Sequence, residues 1–423
     1  MSLLIKNGRV IDPANKKDDV FDVFVSEGLI ESVRRGISKA ADTVIDAAGR
    51  WVTPGFVDLH THLREPGYKY KETIESGSRA AVKGGFTTIC CMPNTNPVID
   101  SPEIVRYVKA KAGPYAKVLP VAGITVGQKG ENLTDMALLK DAGACAFSED
   151  GKSVMNALVM KQALEMAASV DLPVFDHCED IHLANNGVIN EGGASARLSL
   201  PGITPMAEDV ITARDLLLAE SAHARIHFCH VSTSGSAGLL KMARNRGVKA
   251  TGEVCPHYFS MCDEDIGSDS GMYKMNPPLR SYTDMIAMRK ALADGIIGVI
   301  ATDHAPHSET DKSGGFLKAA FGISGLETAL GLCICYLIKT GILTPYKLIE
   351  KLTANPARVL GIDAGTLSEG APADITVIDP ETRWTVNPSA FFSKGKNTPF
   401  AGRTLTGVVE YTIVDGRVAY VHG

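Results

Sequence analysis

Two histidines one residue apart, His60 and His62, close an apolar stretch that begins at Pro54. On a strand, side chains at i and i+2 share a face, so both imidazoles can aim at one point. Four more residues able to bind metal or move protons close other short apolar runs: Asp150, His177, His230 and Asp303. An HxH alone is weak evidence, because a histidine at a strand end is more often hydrogen-bonded structure than a ligand. Convergence of five strand ends is harder to obtain from packing, since each buried polar group without a partner costs about 1–3 kcal/mol. A metal removes that difficulty by serving all of them. Imidazole and carboxylate without thiolate suit zinc, with iron, cobalt or manganese as alternatives. Four histidines and two aspartates exceed one tetrahedral ion. They fit two ions, bridged by a carboxylate and a hydroxide at the roughly 3.5–4 Å spacing of binuclear hydrolytic sites. Such ions lower the pKa of bound water from about 15.7 to about 7, which supplies a nucleophile at neutral pH.

The elements that must position these residues are legible as alternation. Eight short apolar strands are predicted at Phe56–His62, Thr87–Asn94, Val118–Gly123, Ala144–Asp150, Val174–Glu179, Ile226–Val231, Lys249–Cys255 and Gly298–His304. Helical stretches such as Val154–Val170 and Ala207–Ala222 lie between them. Eight strand–helix units predict an α/β fold, a TIM-like (β/α)8 barrel over residues 56–362, with chemistry at the C-terminal rim of its strands. The two ends of the chain look alike. Leu4–Ile11 reads as strand, Asn-Gly turn and strand, and Tyr411–Val418 repeats the design with Asp-Gly; both dipeptides favour a type I′ hairpin. With Val23–Val25, Thr43–Asp46 and Asp374–Ile378 they predict a small β-sandwich domain built from residues 1–55 and 363–423 together.

Composition narrows the partners. With 43 basic and 48 acidic residues the net charge is −5, which argues against a nucleic-acid or anionic-membrane partner. No apolar run of about 18 residues is present, so no membrane span is expected, and the N-terminus lacks a signal-peptide plan. The nine cysteines are odd in number and form no CxxC pair; they read as small buried hydrophobes of a reducing cytoplasm.

At these residues the sequence resembles the amidohydrolase superfamily. The marks are Pro54-Gly55-Phe56-Val57-Asp58-Leu59-His60-Thr61-His62 and Gly370-Ala371-Pro372-Ala373-Asp374-Ile375. Within it the chain resembles the class I bacterial dihydroorotases, through His62-Leu63-Arg64-Glu65-Pro66-Gly67, Cys91-Met92-Pro93-Asn94-Thr95, Met275-Asn276-Pro277-Pro278-Leu279-Arg280 and Thr302-Asp303-His304-Ala305-Pro306-His307. The resemblance implies two zinc ions per subunit, one on His60, His62 and Asp303 and the other on His177 and His230. Many relatives bridge their ions with a carboxylated lysine. Here Asp150 stands at that strand end, with Lys152 as the alternative, while Glu149 alternates to the other face and reads as structural.

The resemblance also implies a substrate, dihydroorotate or N-carbamoyl-aspartate. Arg64, two residues past His62, can grip its carboxylate in a bidentate fork. Asn94 can bond the same group, Asn276 an amide edge, and His307 can add a donor. His62, Phe321 and Gly322 complete the expected substrate contacts. The polar stretch from His307 to Gly322 reads as a loop that could serve as a lid, and Leu326–Leu337 as a buried helix whose Cys333 and Cys335 are core. Asp303 is the expected proton carrier. Hydantoinases and allantoinases are the nearest rivals; their substrates lack the ring carboxylate that Arg64 and Asn94 would hold. A non-catalytic scaffold relative would have lost the metal ligands. The resemblance further implies a homodimer, with aspartate carbamoyltransferase as a potential partner enzyme.

Overall fold

The computed structural model describes residues 2–423. Eight parallel strands run Phe56–Thr61, Phe86–Cys91, Lys117–Gly123, Ala146–Ser148, Val174–Asp176, Ile226–Phe228, Ala250–Val254 and Val299–Ile300, paired in chain order. All eight expected strands are present, but their ladders stop short: His62, Asn94, Asp150, His177, His230 and Asp303 all lie just past the paired residues. The last strand returns to the first through a single parallel bridge, Thr61 to His304, where the His62 amide donates to the His304 carbonyl at 2.8 Å. Asp58 strengthens the seam by accepting from the Thr302 amide at 3.1 Å and the Thr302 hydroxyl at 2.5 Å. The result is a barrel.

Apolar side chains from strands all round the ring, including Val57, Leu59, Cys90, Val121, Ala146, Phe175 and Val299, fill the barrel axis. Period-2 alternation carries this inward face on to Asp150, His177 and Asp303. It fails at His60 and His230, which follow the inward residues Leu59 and Cys229 directly. The register of the first strand slips between Asp58 and Thr61, and His230 adopts a left-handed backbone, φ +34°. Such irregularities re-aim a side chain beside a site.

The helices pack outside the ring. The one expected from Val154 begins at Ala157, because the Asn156 side chain accepts from the Leu158 and Val159 amides and caps it there. The stretch expected as a helix from Leu326 runs as Ala329–Cys333 and continues as a π-helical turn, Ile334–Ile338. All nine cysteines are free thiols, seven of them buried. No helix among the described residues is long and apolar enough to cross a membrane.

The chain ends join one eight-stranded sheet, in which Ile375–Thr385 pairs antiparallel with Trp51–Pro54 and the long first strand, Ser2–Asp12, pairs along one edge with both Thr43–Asp46 and Trp51–Pro54. All of its strands but Arg417–Val421 share one apolar cluster. The Asp415-Gly416 hairpin forms as expected, with φ +47° and +74°. The Asn7-Gly8 turn does not. Asn7 is left-handed, φ +62°, but it forms a bulge inside a continuous strand, held by its amide to Asp22 at 2.9 Å and its side chain to Asp46 at 3.0 Å. Gly8 is required there by close approach, since a Cβ would meet Val52 Cγ2 at 2.4 Å.

Candidate metal centre

His62, Arg64, Asn94, Asp150, His177, His230, Asn276, Asp303, His307, Phe321 and Gly322 line one cavity of about 170 Å³ at the C-terminal rim, with Gly151 and Ala305. His60 lies beneath it, fully buried. Every residue expected at the site therefore converges. Asp150 faces the imidazoles: its Oδ1 is 3.1 Å from His60 Nε2, 3.7 Å from His177 Nδ1 and 3.8 Å from His230 Nε2. Asp303 Oδ1 is 3.1 Å from His62 Nε2 and 3.6 Å from His60 Nε2. Lys152 points elsewhere, its ammonium donating to the Gln128 carbonyl. Glu149 accepts from the Thr125 amide and hydroxyl, in keeping with a structural role.

Two overlapping triads, His60–His62–Asp303 and His60–Asp150–His230, bring one donor atom from each residue within 4.8 Å of the others. Three buried atoms in the cluster, His60 Nε2, Asp150 Oδ1 and His177 Nε2, have no hydrogen-bond partner. Buried orphans of this kind call for a shared partner. Electrostatics says which sign. Burial raises the pKa of a carboxyl, yet His60 and its neighbours hold Asp150 and Asp303 well below the usual carboxylate range. Burial lowers the pKa of an imidazole, yet Asp150 and the carboxylates around it push His60 well above its usual value and His177 up to about 10. The cluster demands positive charge. Divalent cations meet that demand with ionised carboxylates and neutral imidazoles, so the residues fit a metal centre.

Asn94 lines the cavity as expected and also contacts the cluster. Its Oδ1 lies 2.8 Å from His62 Nδ1 and its Nδ2 donates to Asp150 at 3.2 Å, so it orients two members of the cluster. Asn276 donates to Glu179 at 3.0 Å, and Glu179 lies 3.6 Å from His177 Nε2. Arg64 is left-handed, φ +59°; its Nε donates to the Pro306 carbonyl at 3.3 Å, and one terminal nitrogen lies 3.2 Å from His307 Nε2. Both nitrogens of His307 are engaged, Nε2 with the Phe321 carbonyl at 2.8 Å and Nδ1 with the Lys71 ammonium at 3.2 Å. Burial, with Arg64, Lys71 and Lys312 nearby, pushes the His307 pKa down to about 2 and keeps the ring neutral. The expected polar loop is instead two short helices, Glu309–Lys312 and Gly315–Lys318. Buried Lys312 pins it by donating to the carbonyls of Lys274, Ala320 and Gly322 at 2.9, 2.7 and 2.8 Å.

Sequence reasoning missed Glu253, on the seventh strand, whose Oε1 is 2.8 Å from His60 Nδ1. A lone carboxylate in an apolar strand was the available signal, because a buried charge must find a partner.

Residues 49–236 match the family described as dihydro-orotase-like, and residues 243–420 match the amidohydrolase family. A dihydroorotase of Pelotomaculum thermopropionicum is 50% identical over 419 residues, spanning 99% of this chain and 98% of its own. One from Syntrophus aciditrophicus is 49% identical over 424 residues, spanning 99% of both. Among solved structures, the L-hydantoinase (dihydropyrimidinase) of Arthrobacter aurescens superposes with a TM-score of 0.89 at 26% identity, covering 100% of this chain and 97% of that one. The D-hydantoinase (dihydropyrimidinase) of a Thermus species gives 0.84 at 25% identity, covering 100% and 96%. The barrel, its imidazole–carboxylate rim and the full-length similarity agree: this chain belongs to the dihydroorotase family of the amidohydrolases.

Proposed function

We propose that this enzyme interconverts N-carbamoyl-L-aspartate and L-dihydroorotate in pyrimidine biosynthesis, using two zinc ions. The observation that carries the reading is one small cavity with a carboxylate–imidazole cluster at its floor and the Arg64 guanidinium in its wall. His60, His62 and Asp303 would hold one ion, His177 and His230 the other, with Asp150 between them. When bound, the ions would supply Lewis acidity toward the ring amide carbonyl and would ease deprotonation of the water that attacks it.

The chain's own residues do the rest. Arg64 takes the substrate carboxylate; its charge and planar fork suit that group. Asn94 holds the His62 ring and the Asp150 carboxylate in place. In hydrolysis, the Asp303 carboxylate accepts a proton from the attacking water and delivers it to the ring nitrogen as the C–N bond breaks. In cyclisation it takes that proton back and returns it to the departing water. A carboxyl held ionised beside His62 begins the hydrolytic cycle in the accepting form.

Purified, zinc-loaded protein should turn over L-dihydroorotate and leave hydantoin, dihydrouracil and allantoin untouched. Turnover of the last three alone would keep the hydrolytic chemistry and remove Arg64 as the carboxylate clamp. Bound metal with no turnover of any of them would sink the enzymatic reading.

A further inference from the structure

Glu253 is fully buried and accepts three contacts. Oε1 lies 2.8 Å from His60 Nδ1 and accepts from the His230 amide at 3.2 Å; Oε2 lies 3.0 Å from His227 Nε2. His227, also fully buried, reaches on to the Thr251 hydroxyl at 2.8 Å through Nδ1.

These partners fix protons. A carboxylate only accepts, so the nitrogen facing each oxygen must carry hydrogen. His60 is therefore protonated on Nδ1, which directs Nε2 toward Asp150 and Asp303. His227 is protonated on Nε2, which leaves Nδ1 to accept from Thr251. We infer that Glu253, locked by His227 and Thr251, is the positioning residue of the metal centre: it sets the ring and tautomer of His60 and holds the left-handed backbone of His230. One carboxylate thus governs a ligand of each ion. The inference rests on the metal reading proposed above. A purely structural Glu253, tying the seventh strand to the first and sixth, would affect stability but not metal affinity.

The test is Glu253→Gln, which keeps the shape and removes the charge. The metal-free variant and wild type are compared by thermal melting, then titrated with cobalt(II). Cobalt affinity should fall about 10–100-fold, the usual effect of losing a partner behind a ligand, with an altered visible absorption band. Wild-type affinity and an unchanged band would overturn the inference. Should the variant not fold, wild-type protein labelled with ¹⁵N-histidine and loaded with cadmium decides the matter by NMR. Ligation of His60 through Nε2, with a proton on Nδ1, supports the inference; ligation through Nδ1 overturns it. Wild-type protein that binds cobalt but does not turn over dihydroorotate would refute the proposed activity and leave this inference standing, whereas failure to bind cobalt would refute both.

Discussion

The Oδ1 atom of Asp303 stands 3.1 Å from Nε2 of His62, on the far side of the barrel seam from the strand that carries that histidine. Asp303 is left-handed, φ +46°, a conformation that non-glycine residues seldom adopt and that clusters at functional sites. Its carboxylate faces both His60 and His62, an arrangement that suits the proton-carrying role proposed for it.

Asp303→Asn should lower kcat by about 10²–10⁴-fold, the usual contribution of a positioned acid–base. Dihydroorotate should still bind, which calorimetry can measure. Near-normal turnover would take the proton-carrying role from Asp303.

Arg64→Ala should raise KM for dihydroorotate about 10–100-fold, since a hydrogen bond to a charged group is worth about 1.5–3 kcal/mol. An unchanged KM would show that the carboxylate is held elsewhere.

Removing metal with a chelator should abolish activity and lower the melting temperature, because ions bound only by the folded state stabilise it by mass action. Both should return on adding zinc. A melting temperature indifferent to the chelator would argue against bound ions.

His307 gives a pH signature. Its folded pKa of about 2 lies below the unfolded value of about 6.5, so protons bind the unfolded chain preferentially. Its contribution to stability is complete above about pH 6.5 and is lost progressively as pH falls toward 2. Denaturant midpoints measured from pH 7.5 to 4.5 should fall more steeply for wild type than for His307→Gln. Parallel curves would count against a buried neutral His307.

Lys312→Met should destabilise the protein by about 1–3 kcal/mol, leaving buried carbonyls without a donor. It should also speed proteolysis within residues 308–320. A variant as stable and as resistant as wild type would deny Lys312 its pinning role.

Much of this was legible in the residues. His60 and His62 announce themselves by spacing, and six metal-type side chains at five strand ends are improbable as packing. Arg64 projects to the rim because it follows them directly. What could not be read was long-range. Asn7-Gly8 has the chemistry of a hairpin, but Asp22, Asp46 and Val52 decide that it is a bulge, and none is near it in sequence. The contacts of Asn94 with His62 and Asp150 could not be read either, because those partners come from other strands. Lys312 looked like part of a solvated loop, and only the fold supplies the three carbonyls that bury it.

The sheet that joins the chain ends also sets an order of events during synthesis. Pro54 pairs with Ile375, so the earlier segment must wait until the whole barrel between them has been synthesised. At about 5–20 residues per second that wait is on the order of tens of seconds. During it the Trp51–Pro54 edge has no antiparallel partner, and an open edge invites pairing with another chain. Nascent chains stalled before Ile375 should therefore be more prone to aggregate than released full-length protein. In the cell the hazard is one of timing, and it ends when the strand that begins at Ile375 arrives.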